Sequence, residues 1–197
     1  MGTKLLGETS KIFDKITQVR ASDFGSLKVF LHGDFWTGSI MFRKTWKNKD
    51  RPQKVGRLVD FQCCQWGTPA IDLVHFLYIS AQKEILFEHE EDMYTFYYKE
   101  MQKLLRKKYL LDPNVVFPRN QLDADLNKCK FYALINGITL RWVTRAPFNQ
   151  QADFSCLLKD QDQINRFDHY WVRVLHNDTE LLDTIQTLLR RNRSLFD

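Results

Sequence analysis

The sequence predicts an α+β fold with a helical majority and a small β-hairpin. Three observations carry that prediction. Two apolar, strand-like runs, 27–31 and 55–60, lie in the first third of the chain, and each leads into a carboxylate. From Thr68 onward apolar residues recur at three- and four-residue steps, the period of a helix facing a core. Pro113, Pro118 and Pro147 break that helical stretch into segments.

Taken in order, Leu5, Leu6, Ile12, Phe13, Ile16 and Val19 predict an amphipathic helix over 4–20, ended before Ser22-Asp23. A strand follows over 27–31. A short strand is expected over 40–43, then a charged turn over 44–54 with Asn48, Asp50 and Pro52 as breakers. The run 55–60 is expected to return beside the first strand. Thr68-Pro69 marks a helix start, with a hydroxyl at the cap and proline at the first helical position, and that helix runs to about 82. Further helices are expected over 90–108, 121–144, 161–176 and 178–191.

A chain of 197 residues with 44% apolar and 14% aromatic content can bury one substantial core. Its net charge of +5 is the difference between 29 basic and 24 acidic residues scattered together, with no basic stripe that would read as a nucleic-acid interface. Cys63, Cys64, Cys129 and Cys156 show no CxxC spacing, which suits a reducing compartment. The first residues lack the apolar stretch of a signal peptide, and Met1–Leu6 misses the myristoylation pattern. The sequons at Asn177 and Asn192 read as chance matches, and no apolar run reaches membrane-spanning length; 71–79 contains Asp72 and His75. The expectation is a cytoplasmic protein without a membrane or nucleic-acid partner.

The residues that could carry chemistry are the carboxylates at the strand ends. Asp34 follows Gly33 past an apolar strand, a position from which it can orient a hydroxyl and accept its proton. On its own it also reads as a turn residue. Asp60 lies 26 residues later in the same setting. Two carboxylates at neighbouring strand ends make a natural divalent-metal and phosphate site, the arrangement used in phosphoryl transfer. Asp72 falls among Ile71, Leu73, Val74, Phe76 and Leu77, where an ionised carboxylate is costly unless bonded. It reads either as a brace for a nearby backbone or as a first-turn residue favoured by the helix dipole. His75 lies in the same apolar helix. A zinc site on His32 and Asp34 would need ligands from the three remaining histidines, His89, His169 and His176, so it is not expected.

The segments His32-Gly33-Asp34-Phe35-Trp36-Thr37 with Ile40-Met41-Phe42, then Val59-Asp60-Phe61-Gln62, then Gly67-Thr68-Pro69-Ala70-Ile71-Asp72-Leu73, closely resemble the insect ecdysteroid kinase-like family, also described as CHK kinase-like. Its broader relatives are the aminoglycoside and choline phosphotransferases, which share the protein-kinase fold. The resemblance covers residues 28–82. It implies that 1–197 is a single C-terminal lobe of that fold, with 28–82 the motif-bearing core and 83–197 a helical subdomain. It further implies ATP as donor, magnesium as cofactor, and the hydroxyl of a steroid or other lipophilic small molecule as acceptor. Asp34 would be the catalytic aspartate, Asp60 the magnesium ligand, and His32 and Asp72 structural supports of the loop. Trp142, Phe148, Phe154, Tyr170 and Trp171 could line an acceptor pocket or belong to the core.

Two departures qualify this expectation. The family's motif continues with two asparagines, the second a metal ligand, where this chain has Gly38 and Ser39. A serine hydroxyl can ligate magnesium, so Ser39 is expected to be a weak substitute. Only 31 residues precede His32, too few for a nucleotide-covering lobe, and the eight glycines contain no G-x-G pair. The expectation is therefore a truncated phosphotransferase, weak or inactive as it stands. The alternative is a catalytically dead binding or interaction module, whose evolved surface would cover the apolar edge that a fragment leaves open. A metal hydrolase using Asp34, Asp60 and His32 is a third, lesser reading.

Overall fold

A computed structural model describes residues 9–21, 25, 27–48, 51–141, 144 and 178–196. The chain divides into two compact units, 1–133 and 134–197. The expected helix over 161–176, and Trp142, Phe148, Phe154, Tyr170, Trp171, Cys156, His169 and His176, lie outside the described residues.

In the first unit α1 spans Thr9–Ala21, β1 Val29–Leu31, β2 Ile40–Asn48, β3 Arg51–Leu58 and β4 Gln65–Gly67. Helices follow: α2 Ala70–Ser80, α3 Lys83–Glu88, α4 Glu90–Tyr109, α5 Pro113–Val116 and α6 Arg119–Thr139, the last running on past residue 133. The second unit holds α7, Thr179–Arg191. The architecture is mostly helical with two small antiparallel ladders, an α+β arrangement. Among the described residues no helix is long and apolar enough to cross a membrane.

Two expectations about strands are corrected. The segment 44–54 is not a charged turn: β2 and β3 pair from Ile40↔Leu58 out to Asn48↔Arg51, with an irregularity between Trp46 and Asn48. Proline is tolerated here because each strand of a two-stranded ribbon has an open edge. Nor does 55–60 return beside the first strand. The partner of β1 is the three-residue β4, in the register Val29↔Gly67, Phe30↔Trp66 and Leu31↔Gln65. A strand that short carries no readable alternation, so the sequence did not reveal it.

The helices follow their periodicity more closely. α2 buries Ile71, Val74, Leu77 and Ile79, each stabilising by roughly 1.5–3 kcal/mol. It therefore serves as the rigid bar against which the preceding loops are set. α4 opens on Glu90, Glu91 and Asp92 and closes on Arg106, Lys107 and Lys108, charges that match the helix dipole at both ends. Arg119 at the start of α6 ties back to it, donating from Nη1 to Thr95 at 2.9 Å and pairing with Glu91. The buried side chains of Phe117, Leu122, Leu126 and Tyr132 belong to the core of this unit.

Polar burial also anchors the start of α2. The helix begins at Ala70 with Pro69 at the cap, one residue later than expected; Thr68 Oγ1 accepts from the Ala70 amide at 3.4 Å, and its stronger bond is donated to Asp125 at 2.7 Å. Asp125 is fully buried, and Gln121 donates to its other oxygen at 2.9 Å. Several apolar side chains stay uncovered: Phe30, Met41, Phe42, Leu58, Phe61 and Trp66 on the two ladders and the adjoining turn are each 45–73% exposed.

Candidate functional site

Asp34 sits in the loop that leaves β1, and that loop is shaped by its neighbours. Gly33 has φ +79°, and a Cβ there would lie 1.9 Å from the Cys63 carbonyl oxygen. Only glycine fits a backbone that approaches another backbone so closely in the left-handed region. Asp72, in the first turn of α2, accepts from the His32 amide at 2.7 Å and the Gly33 amide at 3.0 Å. Those bonds satisfy the carboxylate whose placement in an apolar helix needed explaining. Farther along the loop, the buried Ser39 hydroxyl donates to the Asp34 carbonyl at 2.7 Å.

The same loop is bonded to the second aspartate segment. The imidazole of His32, 4% exposed, donates from Nε2 to the Val59 carbonyl at 2.8 Å, and the Val59 amide donates to the Ser39 carbonyl at 3.0 Å. His32 Nδ1 is buried and has no partner among the described residues. Asp60 follows directly. It is exposed, in the left-handed region at φ 68° and ψ 58°, and caps nothing in the short 3-10 turn Phe61–Cys63 that it opens. The Phe61 ring packs 5.0 Å from the His32 ring. The two motifs thus meet through loop bonds and one histidine, not through paired strands.

One residue of the site was read in the sequence only as part of an apolar helix. His75, on α2 and 4% exposed, places Nε2 at 3.3 Å from Asp34 Oδ1 and Nδ1 at 3.1 Å from the Tyr132 hydroxyl on α6. The signal was its spacing: it lies three residues after Asp72, on the same helix face. The His75 contact outweighs partial burial and holds the Asp34 carboxyl below its ordinary value of 3.8, with help from His32 and Arg20.

Asp34 is half-buried and bonded to His75, whereas Asp60 is exposed. Among the described residues no three His, Cys, Asp or Glu side chains gather as a metal cluster. That donor set fits magnesium, which is held by one or two carboxylates together with phosphate oxygens and water, and not an all-protein zinc cage. Ser39 is not presented as a ligand, since its hydroxyl is buried against the loop's own backbone. An apolar pocket of about 260 Å³ lies beside the loop, lined by Phe30, Leu31, Phe35, Leu58, Phe61 and Tyr97 among others.

The model of the ecdysteroid kinase-like family matches residues 3–109, which include every side chain just described except Tyr132 and those of the buried Asp125 cluster on α6. No curated protein and no solved structure matches the chain.

Proposed function

Because the chain belongs to the ecdysteroid kinase-like family, we propose that it carries the acceptor and metal half of an ATP-dependent phosphotransferase site for a small molecule bearing a hydroxyl group. The observation that carries this reading is the clamp on the two aspartate segments. Asp72 holds the His32 and Gly33 amides, and His32 holds the Val59 carbonyl beside Asp60.

In this reading 28–82 is the motif-bearing core of a protein-kinase-like C-terminal lobe. Asp34 orients the acceptor hydroxyl and takes its proton as the oxygen attacks the γ-phosphorus of ATP, whose bond to the bridging oxygen breaks so that ADP leaves. Asp34 is ionised at neutral pH, the form that accepts a proton, and the His75 contact that lowers its carboxyl favours that form. Asp60, exposed and otherwise unused, would hold magnesium, which when bound neutralises charge on the phosphates. His32 and Asp72 keep the loop in place, and Ser39 braces it at the Asp34 carbonyl instead of ligating metal. Catalysis in this class is mainly positioning and electrostatics, so the rigidity of the clamp bears directly on rate.

A second reading, an interaction module without catalysis, is favoured by Ser39, whose hydroxyl is bonded to the Asp34 carbonyl at the position where the family's motif has a metal-binding asparagine. Thermal melting separates the two. With ATP at about ten times its Kd, magnesium-ATP is expected to raise the Tm of the wild type by roughly 3–6 °C and that of Asp60→Ala not at all. Identical curves for both proteins, with and without magnesium-ATP, would leave the interaction reading standing and remove the catalytic one.

A further inference from the structure

We propose that His75 is a positioning residue for Asp34: it grips one carboxylate oxygen so that the other is turned to the acceptor hydroxyl. The proposal rests on the phosphotransferase reading of Asp34. It begins with proton bookkeeping. An ionised carboxylate can only accept, so the Nε2 that lies 3.3 Å from Asp34 Oδ1 carries the hydrogen. In the neutral ring Nδ1 is then an acceptor, and the Tyr132 hydroxyl 3.1 Å away donates to it. The two rings lie nearly parallel, with centroids 6.0 Å apart. The Asp34 carboxylate thereby fixes the His75 tautomer, the Tyr132 hydroxyl completes it by donating to Nδ1, and His75 in turn orients Asp34.

The placement on α2 gives this chain of bonds its mechanical meaning. Asp72 and His75 are one turn apart on the same helix, and they reach the same loop in different ways. Asp72 sets the main chain at His32 and Gly33, while His75 sets the side chain of Asp34. Both references belong to one helix whose other face is packed into the core through Ile71, Val74 and Leu77. A reacting group defined at its backbone and its tip from one rigid element meets the geometric demand of an in-line transfer. The titratable groups facing this pair are His32 beside Asp34 on the loop, Arg20 from α1, Tyr132 from α6 and Asp72 on α2 itself.

Three readouts on the full chain test the proposal, and the first two do not need turnover. In nitrogen-15 spectra of the wild type, His75 is expected as the Nε2–H tautomer, and Asp34→Asn, whose amide can donate, is expected to admit the second tautomer. A wild-type His75 protonated on Nδ1 alone would overturn the proposal. In carbon-13 titrations, the Asp34 carboxyl is expected to rise to the ordinary aspartate range in His75→Phe and to stay low in His75→Gln, which keeps an N–H donor. An unchanged Asp34 midpoint in His75→Phe would overturn it; should that variant not fold, the tautomer ratio in Asp34→Asn decides instead.

In turnover, His75→Phe is expected to lower kcat about tenfold or more while the acceptor KM moves less than about twofold, with partial recovery in His75→Gln. A rise confined to KM would overturn it. A wild type without turnover counts against the phosphotransferase reading alone, and the two spectroscopic readouts still decide whether His75 sets Asp34.

Discussion

The loop carrying Asp34 is bonded to α2 through both its main chain and its carboxylate, whereas Asp60 stands exposed at φ 68° with no capping bond. The difference lies in what each carboxylate is committed to. The Asp34 loop is shaped in advance, with a glycine pressed on the Cys63 carbonyl and an aspartate from a core-packed helix satisfying its amides. Among the described residues Asp60 is held through its neighbour Val59, and it occupies a backbone conformation that a non-glycine residue adopts at a cost. On the proposed reading, the group that would meet a substrate in one orientation is built into the scaffold, while the one that would meet a cation has no hydrogen bond to its carboxylate among the described residues.

The comparison can be broken hardest at Gly33. A Cβ at Gly33 meets the Cys63 carbonyl oxygen at 1.9 Å with φ at +79°, so Gly33→Ala is expected to destabilise by about 4 kcal/mol or more. Urea unfolding measures it, and a loss below about 1 kcal/mol would show that the loop is not pinned as described.

Next comes Asp72→Ala, which strips a charged acceptor from two amides and is expected to cost on the order of 3 kcal/mol by the same measurement. Asp72→Asn should recover part of that loss. The reverse sign is expected at the other carboxylate. Asp60→Gly relieves the left-handed strain and should stabilise by about 1 kcal/mol, while abolishing any magnesium-dependent effect of ATP.

The smallest effect is electrostatic. A carboxyl lowered in the folded state contributes stability that is fully present above the unfolded value of 3.8 and lost as pH falls through the lower folded value. Stability of the wild type should therefore fall below about pH 4 more steeply than that of Asp34→Asn. The Asp34 side chain is 34% exposed, so solvent screening keeps this difference slight. Acid unfolding monitored by circular dichroism checks the sign.

Much of the helical frame was legible because its apolar residues repeat at the right period and its ends carry the right charges. α4 matches the expected 90–108, and α7 the expected 178–191, almost residue for residue. The candidate residues Asp34, Asp60 and Asp72 were legible from their motifs. The long hairpin was hidden by Pro52 and a run of charges, which deny a strand its usual alternation. Ser39 was readable as a possible ligand by type, but its hydroxyl is turned to the Asp34 carbonyl. That orientation depends on the turn Thr37–Ser39, which no side-chain pattern specifies.

By itself, then, the sequence determined the order of the motifs, the helix faces and the three aspartates, since these depend on local spacing and residue chemistry. Only the tertiary structure decided that His75 meets Asp34 across 41 positions and Tyr132 across 57, and that His32 joins the two aspartate segments across 27. Periodicity records which side of a helix is buried. It does not record which distant polar atom waits there, because that pairing is settled by how the loops close once the apolar faces of α2 and α6 are packed.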